Sequence, residues 1–447
     1  MKRIAERAVV IGGSVAGLLA ARVLTEAVDE VMLVERDAWS DAPVHRRGVP
    51  QGRQPHLLLG RGREVLDRLC PGFSADVVAA GGHEWDFQGD GRYFSEAGLM
   101  AHRPSGMVGV AGSRPLLESV LRRRVSELPG VTPMAPASAE PLLRGDRVVG
   151  VRVRRSAGQE REVPADVVVD ATGRGSHLPI WLEGQGYGRP PESSLQLGLS
   201  YTSWTFPRDP GDLDGAAVCI VAANPELPRG GSASAIEGDR WLVTASAYYG
   251  TSVPRDRPGF QAFLEDLVSP RIGALIRGRE PLEPAPVVHR VPASTRRHYE
   301  RLPRRPEGLL VLGDAYAGFN PIYGHGMTVA ALEALALQAD LAHGLDGLAD
   351  RSARSTARAA SAVWDMAAGA DLRFPGVPGA RPLRTTMLNA WVGRVVRAAT
   401  RDAEVAEAFL RTVNLMARPE SLLSPMIAGR VLRAQRGAPT SAPARRS

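Results

Sequence analysis

The chain has 447 residues, 44% hydrophobic and 23% charged, with a net charge of +7. That balance describes a globular chain of up to about three domains and excludes a disordered or fibrous one. Lys2 is the one lysine against 54 arginines, which excludes Schiff-base, P-loop and pyridoxal-phosphate chemistry; two cysteines, Cys70 and Cys219, exclude a disulfide framework or a CxxC metal site.

Ala8-Val9-Val10-Ile11 is a short apolar run that reads as a buried parallel strand. Gly12-Gly13-Ser14-Val15-Ala16-Gly17 follows as a tight turn, then a helical pattern from Leu18, then a second strand Val31-Met32-Leu33-Val34 ending at Glu35. Strand, glycine turn, helix, strand and acid is the order of a dinucleotide-binding unit. Gly12 allows the turn, Gly17 lets helix and strand pack closely, and the helix N-terminus receives a pyrophosphate. Ser14 stands where a middle glycine is usual, and its hydroxyl is placed to bond a phosphate oxygen. The same residues nearly spell a nucleophile elbow, GxSxG, but residue 16 is alanine and one strand alone precedes the serine, which discounts a hydrolase.

The stretch 44–59 reads from composition as a surface loop. Ser113 is an N-cap and Pro115 a first-turn residue of a helix that carries Arg114. Asp166-Val-Val-Val-Asp170 is a further strand, followed by Ala171-Thr-Gly-Arg-Gly175. No second glycine-turn unit appears, so one dinucleotide is expected. From 190 to 290 helical periodicity fades and strand-like runs at 216–222 and 241–249 carry aromatic residues, which predicts an inserted sheet. Leu309-Leu-Val-Leu312 runs into Gly313-Asp314, and glycines at 324 and 326 precede a helix expected over 329–341. Beyond 350 the pattern is helical. Leu388, Trp391, Val392, Val395 and Val396 form one apolar stripe, which reads as packing on the body. The arginines are scattered and not interleaved with aromatics, so no nucleic-acid partner is expected. No apolar run of about 18 residues and no leader pattern occurs, giving the expectation of a cytoplasmic protein without a transmembrane segment.

These motifs together resemble the FAD-dependent monooxygenases of the para-hydroxybenzoate hydroxylase fold. The resemblance spans roughly residues 5–345. It implies an α/β fold: a Rossmann-like FAD-binding domain with an inserted mixed β-sheet substrate domain and a C-terminal helical segment. Residues 1–80, 106–185 and 291–345 would form the FAD-binding domain, 81–105 and 186–290 the substrate-binding part, 346–436 the helices and 437–447 a disordered tail. The implied cofactor residues are Gly12, Gly13, Ser14, Ala16, Gly17, Glu35 and Arg36 at the ADP part. Arg114 contacts the cofactor, Asp314 of the Gly-Asp pair binds the ribityl chain, and Pro321, Gly324, Gly326 and Met327 lie against the isoalloxazine. Arg46 and Gln51 are further cofactor candidates.

The wording is more particular still. Arg46-Arg-Gly-Val-Pro-Gln51 with His56, Asp170-Ala-Thr-Gly-Arg-Gly-Ser176, His298-Tyr-Glu-Arg-Leu-Pro303 and Phe319-Asn-Pro-Ile-Tyr-Gly-His-Gly-Met327 resemble the flavin epoxidases of polyether polyketide pathways, the lasalocid and monensin type, and more distantly squalene epoxidase. Aromatic hydroxylases of the fold carry Gly-Asp-Ala-Ala-His and Pro-Pro-x-Gly-Gly; Tyr316, Ala317 and Asn320-Pro321-Ile322-Tyr323-Gly324 depart from both. Halogenases of the fold need an active-site lysine, and this chain has none in its body. The implied activity is epoxidation of an alkene of a polyketide or terpenoid-like intermediate through a C4a-hydroperoxyflavin. NAD(P)H is the implied electron source, direct or through a separate flavin reductase. No side-chain nucleophile or metal is needed, and no catalytic residue is assigned. Tyr323, His325, Trp204 and Tyr248 are candidate lining residues for an apolar substrate, and the basic charge suits one held on an acidic carrier protein. The alternatives are a flavin hydroxylase, a non-redox pericyclase that keeps FAD as structure, and a flavin-binding protein without catalysis.

Overall fold

Ala8-Val9-Val10-Ile11 forms the centre of a parallel sheet in the computed structural model, which describes residues 3–155, 158–249 and 251–436. The tail expected at 437–447 lies outside the described residues. The sheet has five strands in the order Leu309–Val311, Val167–Asp170, Ala5–Ile11, Val28–Val34, Val131–Met134. Every neighbour pair is parallel.

Both faces of this sheet are covered, which is why its strands read as continuous apolar runs rather than alternating ones. Ala8 and Val10 pack with Leu18 and Leu19 of the helix Val15–Leu24, with Leu117 and Leu121 of Arg114–Ser126, and with Ala334 and Leu337 of His325–Leu341. Val9 and Ile11 point the other way, onto Val148, Val151 and Val163 of an antiparallel three-stranded sheet built from Ala137–Arg144, Arg147–Arg155 and Glu160–Pro164.

The inserted sheet has eight strands in the order Ala317–Gly318, Val287–Arg297, Glu192–Pro207, Arg240–Ala247, Arg229–Ile236, Val218–Val221, Gly91–Ser95, Gly98–Leu99. It recruits residues 91–99 and 317–318 from outside the 190–290 region, and the strand Val287–Arg297 runs unbroken through position 290. The helices Leu348–Asp371, Leu383–Ala399, Ala403–Val413 and Pro425–Arg436 follow.

The structure corrects two expectations from sequence. The stretch 44–59 is not simply a surface loop: Arg46, Val49, Gln54 and Leu58 are buried, because Arg46 reaches two buried carboxylates. The helix expected from 329 begins at His325, with Gly324 at φ 68° turning the chain into it. Cys70 and Cys219 are both buried and unbridged. Among the described residues no helix is long and apolar enough to cross a membrane, and no group of metal-ligating side chains is present.

Candidate functional site

The glycine turn sets the site. Gly12 has φ 110°, and a Cβ there or on Gly17 would collide with backbone oxygens, of Ala171 and Gly12 respectively. The turn therefore brings the strand Ala5–Ile11 and the helix Val15–Leu24 into near contact. Ser14 occupies the N-cap but makes no capping bond; the first backbone bond of the helix is Leu18 N–H to Ser14 O at 2.8 Å. The first-turn amides are thus without helix partners.

The Ser14 hydroxyl is engaged within the chain. It donates to Glu118 Oε1 and accepts from Arg114 Nη2 at 2.8 Å. Glu118 is the hub of a buried ionic network. Arg114 reaches Oε1 at 2.8 Å, Arg46 donates to Oε2 at 2.7 Å, and Arg122 stands 3.5 Å from Oε2. Arg46 also pairs with Glu35 at 2.9 Å. Burial pushes the Glu118 carboxyl up, but Arg114, Arg46 and Ser14 outweigh it and hold it at about 2. No motif singles out Glu118 in the sequence, although Arg114 and Glu118 stand four apart on a predicted helix.

Glu35 faces inward. It accepts the Gly13 N–H at 2.8 Å and the Asp37 N–H at 2.9 Å, besides the Arg46 ion pair. Its carboxylate is occupied with holding the turn.

These elements border one cavity of about 1440 Å³. Ser14, Ala16, Arg36, Gln51, Arg114, Asp314, Pro321, Gly324, Gly326 and Met327 lie on its wall, as do Tyr248, Tyr323 and His325. Gly12, Gly13, Gly17, Glu35 and Arg46 lie behind that wall and shape it. Trp204 does not line the cavity: it stands on the opposite face of its strand from Tyr201 and Ser203, packed with Phe206, Trp241 and Val243.

A second uncapped helix start faces the same space. The helix His325–Leu341 has Gly324 at its N-cap and no side-chain capping bond. Beside it Asp314 pairs with Arg174 at 3.2 Å, and Arg174 is anchored to the backbone oxygens of Ala293, at 3.1 Å, and Phe319. Glu333, fully buried, accepts the Gly313 N–H at 2.6 Å and ties the Gly-Asp turn to the helix.

The loop 319–324 is pinned by a buried polar cluster that sequence spacing gave no sign of. Asp371 Oδ1 accepts from Asn320 Nδ2 at 2.7 Å, Tyr323 OH at 2.8 Å and Tyr248 OH at 3.2 Å. Its Oδ2 has no partner among the described residues. Burial pushes Asp371 up to about 6, against the pull of its three donors. Burial also lowers His325 to about 4, so it is neutral at pH 7. Chemically, the cavity offers two positive helix ends and one arginine-paired aspartate; the acid that changes charge near neutrality, Asp371, is buried behind Tyr323.

No protein-family model matches the chain. Protein Rv3254 of Mycobacterium tuberculosis (strain ATCC 25618 / H37Rv) is 36% identical over 448 residues, 96% of this chain and 93% of that protein. A flavoprotein/dehydrogenase from Cytophaga hutchinsonii aligns with a TM-score of 0.68 at 15% identity, covering 97% of this chain and 99% of that one. PqsL, a probable FAD-dependent monooxygenase from Pseudomonas aeruginosa, gives 0.57 at 18% identity, with 90% and 99% covered. The Diels-Alderase PyrE3 of pyrroindomycin biosynthesis gives 0.61 at 16% identity, with 92% and 80% covered. At these identities the structural likeness is one of fold. The chain belongs to the family of Protein Rv3254, built on the α/β fold of FAD-dependent flavoenzymes.

Proposed function

We infer that this chain is an FAD-dependent monooxygenase that epoxidises an alkene of a polyketide or terpenoid-like intermediate. The observation that carries the reading is the convergence of two uncapped helix starts, Val15–Leu24 and His325–Leu341, on one cavity of about 1440 Å³. Such a volume exceeds the roughly 300–1,000 Å³ usual for small-ligand pockets, which suits a dinucleotide and a long substrate in connected space. The residues present fit the cofactor: Ser14 leaves the first-turn amides free, and its own hydroxyl is held aside by Glu118.

Bound FAD would take electrons from NAD(P)H, directly or through a reductase, and activate dioxygen for transfer of one oxygen atom. The rest falls to the chain. Val15 and Ala16 present backbone N–H groups and the positive helix end to the pyrophosphate. Arg114 adds a fixed cation on the same wall. Asp314, steadied by Arg174, accepts ribityl hydroxyls. The His325 end of the second helix favours negative charge on the ring system beside it. Tyr323 lines the cavity and donates its phenol proton to Asp371 Oδ1 behind it, so the pair can buffer a proton at this wall.

The test is made on the purified protein. Its visible spectrum is recorded, the flavin is reduced anaerobically, and oxygen is admitted in stopped flow with a polyene present. An oxygen adduct that decays faster with the polyene supports the reading. A colourless protein that takes up no FAD overturns it, and so does turnover without oxygen or reductant, which identifies a non-redox cyclase.

A further inference from the structure

His56 belongs to the sequence motif that starts at Arg46, yet it takes no part in the contacts of the glycine turn, Arg114 or Asp314. It stands on the cavity wall, half-buried, just before the short strand Leu57–Leu58. That strand pairs with Ala111 and Val110 of the strand Val108–Ala111, which leads into the helix beginning at Arg114. On its other side the Leu57 carbonyl oxygen is 3.9 Å from the place a Cβ on Gly324 would take, at the start of the second helix. His56 therefore lies between the cation on the phosphate side of the cavity and the glycine on its ring side.

The imidazole makes one bond within the chain. Its Nδ1 stands 2.8 Å from the Gln54 carbonyl oxygen. A carbonyl can only accept, so Nδ1 carries the proton and Nε2 is left with its lone pair. Nε2 has no partner among the described residues. It is also not sealed away: Gln54 Nε2 and His325 Nδ1 are closed off without a partner, whereas His56 Nε2 is not. Burial first, and then the Arg114 cation, push this imidazole down to about 3. The ring is therefore neutral across the physiological range, and the acceptor is always present. The other polar groups at this end of the wall are donors, namely the first-turn amides of two helices and Arg114. His56 adds an acceptor among them.

We propose that His56 is a cofactor-binding residue whose Nε2 accepts a hydrogen bond from an N–H of the bound isoalloxazine. This rests on the reading of the cavity as an FAD site and on nothing about the substrate. Phosphates accept and do not donate, and the ribityl hydroxyls fall to Asp314. The isoalloxazine carries N3–H in both redox states and N5–H in the reduced one, which are the donors left for an acceptor placed between Arg114 and Gly324. The tautomer decides the contact. An imidazole protonated on Nε2 would set one N–H against another, and the Gln54 carbonyl excludes it by holding the proton on Nδ1.

The test compares His56→Phe with His56→Gln. Both lose Nδ1–H and its bond to Gln54, so a difference between them reports the acceptor alone. Gln keeps an oxygen at about the reach of Nε2; Phe keeps a ring and has no lone pair. FAD is titrated into the cofactor-free protein by fluorescence quenching, and the midpoint potential of the bound flavin is read spectroelectrochemically. In His56→Phe the flavin is expected to bind roughly three- to tenfold more weakly in at least one redox state, while His56→Gln stays within about twofold of wild type. An equal loss in both states, with the potential unchanged, identifies N3–H as the donor. A loss in the reduced state alone lowers the potential by about 15–30 mV, at about 30 mV per tenfold for two electrons, and identifies N5–H. Wild-type affinity and potential in His56→Phe, or the same loss in both variants, overturns the proposal. A wild-type protein that binds no FAD overturns the proposed function together with it. Turnover without oxygen strikes the monooxygenase alone and leaves this contact standing.

Discussion

Glu118 concentrates more of the site's electrostatics than any residue picked out from the sequence. It is a buried anion touched by Arg46, Arg114 and Ser14, and held ionised by them. Removing one member of such a network leaves buried charge uncompensated, which costs about 3–5 kcal/mol. Glu118→Ala is therefore expected to lower the melting temperature and to weaken FAD retention, since Arg114 and Ser14 lose their common anchor. A variant that melts like wild type would show that the arginines find water instead. Asp371 supplies a second residue-scale prediction. Its carboxyl, raised to about 6 mainly by burial, is protonated below that pH and ionised above it. If it is the proton store, the rate limb near pH 6 disappears in Asp371→Asn. A limb that persists at the same pH assigns the ionisation to another group. The glycine turn was legible because one local geometry dictates its residues. Glu118 was not, because its partner Arg46 lies 72 positions away. The Asp371 cluster joins residues 248, 320, 323 and 371, which no spacing rule connects.

At the scale of elements, the two helix starts obey different constraints. Gly17 has no room for a side chain, so Gly17→Ala forces the strand and helix apart and is expected to abolish folding of the turn. Gly326 has room: the nearest atom to a Cβ at that position would be Asp314 Oδ1, 3.9 Å away. Gly326→Ala should stabilise the cofactor-free protein by about 0.5–1 kcal/mol through helix propensity. The same variant should lower FAD occupancy, because the added methyl enters the space beside the second helix start. Full occupancy in Gly326→Ala, read from the ratio of visible to ultraviolet absorbance, would place the ring elsewhere. Sequence shows both glycines at helix starts, yet it cannot tell a glycine required by packing from one kept open for a ligand. The stripe Leu388 to Val396 illustrates the same limit. Its helical periodicity was readable, and Val395 and Val396 are buried as packing predicts, while Leu388, Val392 and Val396 also border the cavity.

Across the whole molecule, the cavity is closed by segments from near both ends of the chain, and its stability is coupled to pH through Glu333. This residue lies inside the helix His325–Leu341, fully buried, with Oε2 on the Gly313 amide and Oε1 unpartnered among the described residues. Burial first, and then the neighbouring Asp314, raise its carboxyl from 4.5 to about 8; the Gly313 bond opposes them. The unfolded chain releases this proton near 4.5, whereas the folded chain keeps it until about pH 8. The stabilising contribution is thus complete below pH 4.5, declines as pH rises through the interval, and is gone above 8. Glu333→Gln retains an acceptor for Gly313 and removes the titration. Thermal melts of the cofactor-free protein should then show the variant more stable than wild type at pH 8 to 9, with the two curves converging toward pH 4.5. Parallel curves across that interval would mean that Glu333 is ionised in the folded protein at neutral pH and that the Gly-Asp turn carries one more fixed negative charge than its geometry implies.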